Sequence, residues 1–228
     1  SALLFRLGNV KKNIGYNREG RGFLLDFSPE INYHKHYINR YAFLFNEYIG
    51  NKYVYLPELS LRHTGQKTFQ FDNSHKTIAL YLGGENKEFR KYPDEYAVQL
   101  LRLLNRQGYN LLLIGDENDN IKHTQYAEEA RIDHLINLTA RTTIEGFINT
   151  IANVDLIITI DSSALHIAAA VKTPFIALMG LSTSPTSTIL PKVPLGRILK
   201  IENNLIREED YIRNITPDLI LKTISELI

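Results

Sequence analysis

From residue 77 onward, short and largely apolar runs alternate with longer amphipathic ones. The short runs are Thr77–Leu82, Tyr109–Ile114, Leu135–Leu138, Asp155–Ile160, Phe175–Met179 and Arg197–Ile201. A strand that is apolar on both sides must be covered on both faces, and a parallel sheet sandwiched by helices does this. The helices predicted between the strands are Pro93–Gln107, Ile121–Arg131, Thr143–Asn153 and Ala164–Val171. Pro217–Leu227 closes the chain behind the N-cap candidate Thr216. In the first of these, Tyr96, Leu100, Leu103 and Leu104 share one face, Pro93 suits the first turn and Gly108 ends the run. The expected fold class is therefore α/β, a doubly wound parallel sheet with strand order 3-2-1-4-5-6. In that order the first and fourth strands are neighbours and the winding reverses between them. Ligands of such sheets bind in the crevice outside the carboxyl ends at that point.

The preceding residues are less regular. They predict a helix at Ser1–Leu7, a strand at Lys12–Tyr16, a polar turn "NREGRG", a strand at Phe23–Leu25 and an aromatic-rich helix at Tyr37–Tyr48. Residues 57–76 are polar with little periodicity and are expected to be a linker. The predicted division is a partial first domain plus linker at 1–76 and a complete second domain at 77–228.

Two turns stand out because the strand order makes them converge. After the fourth strand the chain reads "IDSSALHIAAAVKTPFIALMG". A helix starting at Ser162 or Ser163 presents unpaired N–H groups and the positive end of its dipole, which together suit a phosphate. Asp161 and Ser162 are equally suited to plain capping, and His166 to a place in the core. After the first strand comes "GGENKEFRKYP", in which Gly83 and Gly84 allow close backbone approach. Its Lys87, Arg90 and Lys91 are either phosphate donors or a solvated charge cluster. "GDENDN", after the second strand, offers a carboxylate to ribose hydroxyls or to the next helix N-terminus. "GLSTSPTST", after the fifth, either covers a phosphate or simply connects.

Composition removes several classes. The chain of 228 residues is 44% hydrophobic with net charge +1, so it has material for a core but not the basic excess of a nucleic-acid binder. It has no cysteine, hence no disulfide framework or thiolate metal site. No dinucleotide fingerprint, P-loop or nucleophile elbow occurs, and the seven histidines show no metal-binding spacing. No apolar run is long enough to span a bilayer.

Three ordered segments resemble glycosyltransferase family 9, the ADP-heptose:lipopolysaccharide heptosyltransferases: "KKNIGYNREGRGFLL", "YLGGENKEFRKYPDEYAVQLLRLLNRQGYNLLLIGDEND" and "IDSSALHIAAAVKTPFIALMG". The resemblance implies a GT-B arrangement of two Rossmann-like domains, with the nucleotide sugar in the C-terminal one and a lipopolysaccharide inner-core acceptor on the N-terminal side. It implies an inverting transfer with no metal and no cofactor beyond the ADP-sugar substrate. The implied location is cytoplasmic, at the inner membrane of a Gram-negative bacterium, where peripheral membrane association is compatible. Carried over residue by residue, Asp161 holds sugar hydroxyls and the Ser162, Ser163 and Ala164 amides hold the diphosphate, with His166 beside them. Gly84 and Glu85 face the diphosphate, and Arg90 stands where the family has a phosphate-binding Lys. Glu117 or Asp119 meets the ribose and Thr142 the adenine, while Arg18 and Arg21 face the acceptor. Ser163 replaces a Gly and Tyr92 a Trp of the family pattern, departures that bear on the sugar more than on the nucleotide. No segment matches the family's first strands and its catalytic Asp, so the base is expected upstream of Ser1. An N-terminally truncated chain is expected to bind the donor without supplying that base, and a GT-B enzyme that uses another nucleotide sugar is the remaining alternative.

Overall fold

The computed structural model describes residues 2–33, 36–50, 60–71, 74–83, 91–180, 190–191, 193–201 and 207–228. The backbone divides into two compact units, one of residues 1–58 with 184–190, the other of residues 59–183 with 191–228.

The larger unit is built on the expected sheet. Its strands are β1 (Thr77–Tyr81), β2 (Asn110–Leu113), β3 (Ile136–Asn137), β4 (Leu156–Ile160), β5 (Phe175–Leu178) and β6 (Gly196–Leu199). They pair in the order β3-β2-β1-β4-β5-β6, parallel throughout. Every residue of β1, β4 and β5 is buried, as a central parallel strand requires. Among the described residues five helices cover the sheet. With α1 and α2 reserved for the smaller unit, they are α3 (Asp94–Arg106), α4 (Asn120–Ala130), α5 (Ile144–Ala152), α6 (Ser163–Val171) and α7 (Pro217–Ile224). Helix α3 packs against α4 and α7, and α5 against α6. These groups are the two helical layers that right-handed crossovers generate when the winding reverses at β1.

Local chemistry fixes the helix ends. Thr143 and Thr216 cap α5 and α7 by accepting from Gly146 N–H and Leu219 N–H at 3.0 and 3.3 Å. Tyr92 is buried, and its hydroxyl donates to the Ile215 carbonyl at 2.9 Å, tying the entry of α3 to the entry of α7. Residues 60–71 run along α5 and α6. Thr64 exchanges two hydrogen bonds with Asn149, Thr68 bonds Thr150, and Leu61 N–H reaches the Ala170 carbonyl. Asn149 and Thr150 are buried polar groups on α5, and this segment supplies the partners that burial demands.

The smaller unit holds α1 (Ala2–Leu7) and α2 (Tyr37–Ile49). Two predicted strands are not strands. Lys12–Tyr16 contributes only an isolated bridge between Ile14 and Phe27, flanked by backbone bonds from Gly15 N–H to the Phe27 carbonyl at 3.0 Å and from Asn17 N–H to the Pro29 carbonyl at 3.1 Å. Phe23–Leu25 lies in a 3-10 turn, Arg21–Leu24, entered through Gly20 at φ 69° and closed by Leu25 N–H to the Gly22 carbonyl. Two further 3-10 segments, Glu117–Asp119 and Glu208–Asn214, were not anticipated. Arg40 is buried, donates to the Tyr33 carbonyl at 2.8 Å and lies over the Tyr33 ring.

Candidate functional site: the carboxyl ends of β1 to β4

The β1–β4 register ends with Tyr81 opposite Thr159, which brings Gly83 level with Asp161 two residues further on. The carboxyl ends of the first and fourth strands therefore lie side by side at the reversal point, as the strand order requires. Ser162 is the N-cap of α6. Its backbone is extended, its Oγ accepts Ala164 N–H at 3.2 Å and it also contacts Thr159 Oγ1 at 2.9 Å. The capping reading of Ser162 thus holds, and the cap takes the Ala164 N–H at the carboxyl end of β4. Asp161 and His166 are half-buried, Ser163 is exposed and Ala164 is fully buried against the sheet.

Two more turns join this edge. Asp116 starts a capping box. Its side chain accepts from Asn118 N–H at 2.8 Å, and Asp119 Oδ2 accepts from Asp116 N–H at 3.2 Å. Asp119 is only 4% exposed and sits between two glycines. A Cβ on Gly83 would lie 1.8 Å from Asp119 Oδ1, and one on Gly115 would lie 2.7 Å from Oδ2. The close approach expected at Gly83 is thus made by a carboxylate of the same chain. Glu117 is exposed on the rim. The turn after β3 is bonded in the same way: Ala140 N–H donates to the Gly115 carbonyl at 3.1 Å and Arg141 N–H to the Leu138 carbonyl at 3.0 Å. Ala140 has φ 59°, a left-handed conformation that costs a residue with a Cβ roughly 1 kcal/mol. Thr142 follows, half-buried.

Beneath these turns lies His123, fully buried on α4. Its Nδ1 is 2.8 Å from Thr139 Oγ1, and its Nε2 has no partner. Burial pushes its pKa down to about 4 against an opposing pull from Asp116, so the imidazole is neutral near pH 7. Nearby, Asp94 takes hydrogen bonds from Lys122 and Tyr126. Burial alone would raise its pKa, but these partners outweigh it and hold the carboxyl below its ordinary value.

The structure therefore brings Asp161, Ser162, Ser163, Ala164, His166, Glu117, Asp119 and Thr142 to one end of one sheet. Gly84, Glu85 and Arg90, like Lys87 and residues 181–188, lie outside the described residues. Arg18 and Arg21 belong to the other unit. Arg21 is paired with Glu19 at 2.9 Å and also donates to the Arg18 carbonyl. Sequence reasoning passed over Gly115, Asp116, Thr139 and His123. The Asp116-x-x-Asp119 spacing of a capping box was a usable signal for one of them.

Six parallel strands in this order, wound on both faces, with a helix N-terminus at the reversal point, define a doubly wound α/β fold of the GT-B type seen in its structural neighbours. A family model, glycosyltransferase family 9 (heptosyltransferase), matches residues 1–209, and the chain belongs to that family. Lipooligosaccharide heptosyltransferase 2 of Haemophilus influenzae is 31% identical over 163 residues, which are 66% of this chain and 47% of that protein. The chain spans about half the length of this curated relative. Among solved structures, E. coli ADP-heptose LPS heptosyltransferase II superposes with TM-score 0.80 at 21% identity, covering 99% of this chain and 72% of that one. E. coli heptosyltransferase WaaC with ADP-2-deoxy-2-fluoro heptose superposes at 0.64 and 16% identity, covering 90% and 60%.

Proposed function

We propose that residues 77–228 bind the ADP-sugar donor of a heptosyltransferase that transfers heptose from ADP-heptose to a lipopolysaccharide inner-core sugar. The observation that carries this reading is the level placement of Gly83 and Asp161 at the reversal point, with the first turn of α6 directly after Asp161. Family membership and a structural relative crystallised with an ADP-heptose analogue support it.

In this reading the diphosphate lies against the Ser162–Ala164 amides, with Arg90 completing the charge from the turn after β1. Gly84 and Glu85 line that turn, and His166 is in reach of the diphosphate. Asp161 accepts from the sugar hydroxyls, Glu117 or Asp119 from the ribose, and Thr142 approaches the adenine. An acceptor hydroxyl attacks the anomeric carbon from the face opposite the leaving group. A carboxylate base takes its proton, the bond from the anomeric carbon to the β-phosphate oxygen breaks, and the electron pair leaves with ADP. The configuration inverts. Charge grows on the diphosphate as that bond breaks, so the fixed amides and guanidinium favour the transition state over the ground state. No cofactor or metal takes part in the proposed reaction. Arg18 and Arg21 face an acidic acceptor. The exposed Arg21–Glu19 pair is worth at most about 1 kcal/mol and yields readily to a better anion. A lipid-linked acceptor places the reaction at the cytoplasmic face of the inner membrane, with peripheral attachment. Among the described residues no helix is long and apolar enough to cross a bilayer.

Calorimetry with ADP, paired with a transfer assay using ADP-heptose, tests the proposal. Saturable binding is expected, weakened about tenfold or more by Arg90→Ala, since a charge-assisted phosphate contact is worth about 1.5–3 kcal/mol. Binding without transfer would assign the chain a donor-holding role, the second reading. Wild-type protein that ignores ADP overturns both.

A further inference from the structure

We propose that His123, which touches no part of the expected donor, is a positioning residue that holds the turn Thr139–Thr142 in its nucleotide-binding shape. The inference rests on the donor-site reading above and adds a residue to it. His123 follows Asp119 by one helical turn on the face of α4 turned to the sheet, and it is 0% exposed. Its Nδ1 meets Thr139 Oγ1 at 2.8 Å, and Thr139 is equally buried. Its Nε2 has no partner.

A histidine chosen for stability alone would not be placed this way, because a buried nitrogen without a partner is penalised and an apolar residue of similar size is not. What the imidazole contributes is a single directed bond to the first residue of the turn. That turn needs holding. Thr139 N–H is taken by the Asn137 side chain at 3.0 Å, and Ala140 is held in a left-handed conformation by its bond to the Gly115 carbonyl. Strained backbone of this kind persists only where its surroundings over-determine it. The contact with His123 is the one side-chain bond from α4 to this turn that the described residues contain. It therefore links the turn after β3, which carries Thr142, to the helix that follows the Asp116–Asp119 turn.

The test uses the full chain and two readouts, ADP affinity by calorimetry and amide exchange at Ala140, Arg141 and Thr142. His123→Leu removes the bond together with the orphaned nitrogen. His123→Asn keeps a polar atom near the Nδ1 position. Thr139→Val removes the bond from the other side. His123→Leu and Thr139→Val should each weaken ADP binding about tenfold, the equivalent of losing one hydrogen bond's worth of order. Exchange at the three turn amides should accelerate by a similar factor while β1 and β4 amides keep wild-type protection. The double variant should be no weaker than either single one, and His123→Asn should return to within about twofold of wild type. The proposal is overturned if His123→Leu binds ADP as wild type does. It is equally overturned if protection falls across the sheet as well as in the turn, since that marks a purely structural residue. Wild-type protein that does not bind ADP removes the donor-site reading, and this inference falls with it. A wild type that binds, beside an unaffected His123→Leu, removes the inference alone.

Discussion

Substituting Gly83 by alanine offers the sharpest test of how the strand-end turns are built. The added Cβ would stand 1.8 Å from Asp119 Oδ1, 2.2 Å from Cγ and 2.9 Å from Cβ of that residue. Carbon needs roughly 3.5 Å, so the carboxylate must move well over an ångström. It has nowhere easy to go. Its other oxygen holds Asp116 N–H at 3.2 Å, and the side chain is buried between the ends of β1 and β2. Forcing it out loses a capping interaction worth about 1 kcal/mol. Overpacking and an off-rotamer side chain add about 2 kcal/mol more. Gly83→Ala should therefore destabilise the larger unit by about 3 kcal/mol. Asp119→Ala alone should cost about 1–2 kcal/mol, mostly the cap. The double variant removes the clash at its source, so it should be more stable than additivity predicts by at least about 1.5 kcal/mol. Urea unfolding followed by far-UV circular dichroism gives the free energies, with exchange of β1 and β2 amides assigning them to this unit. The reasoning is refuted if Gly83→Ala lies within about 0.5 kcal/mol of wild type, or if the two effects simply add.

Acid should weaken the fold through His123. Its folded pKa, about 4, lies below the unfolded value of 6.5, so the unfolded chain binds the extra proton. The stabilisation is complete above pH 6.5 and is lost as the pH falls from there towards 4. Between pH 7 and pH 5 this amounts to about 2 kcal/mol, and His123→Leu should remove that slope from a pH series of urea midpoints. A variant whose pH dependence matches wild type refutes the assignment. Ala140→Gly relieves a left-handed alanine at φ 59° but adds chain entropy to the unfolded state. Relief wins by about 0.5 kcal/mol, so the melting temperature should rise by a degree or two rather than fall.

The strand order could be read before any coordinates because burial on both faces leaves its mark on every residue of a central strand. Ile157–Ile158–Thr159–Ile160 and Phe175–Ile176–Ala177–Leu178 have no polar side to mislead. The cap at Thr216 was legible for a similar reason: a hydroxyl ahead of Pro217 has one common use. The smaller unit was less legible. Phe23 and Leu25 carry strand-like side chains, but Gly20 at φ 69° turns the chain into a 3-10 segment there. The roles inside the site were partly hidden. "GDENDN" advertises five polar side chains, and nothing in their order says which turns inward. Packing chose Asp119, because only that position faces the two glycines. His123 was hidden for the opposite reason. A lone histidine in a polar helix resembles a surface residue, and only its burial beside Thr139 reveals otherwise.

The distribution of local costs is itself an argument about where function sits. Among the described residues of the larger unit, three features work against stability: a carboxylate buried between strands at Asp119, an imidazole nitrogen without a partner at His123, and a left-handed alanine at Ala140. All three lie in or directly beneath the turns that follow β2 and β3. Arg131 and Lys172 also have positive φ, but as helix C-caps, where that conformation is an ordinary way for a helix to stop. The amino ends of the same strands are conventional. Asp155 brackets Thr77 through its carboxylate at 2.7 Å and its own N–H at 3.0 Å, and Asn110 N–H bonds the Lys76 carbonyl at 2.9 Å. A sheet under selection for stability alone has no reason to treat its two ends differently. Local rules tend to be broken at functional sites and compensated elsewhere, here by the fully buried strands β1, β4 and β5. The asymmetry thus points to the carboxyl edge independently of any motif, and it selects the same edge that the reversal of winding selects.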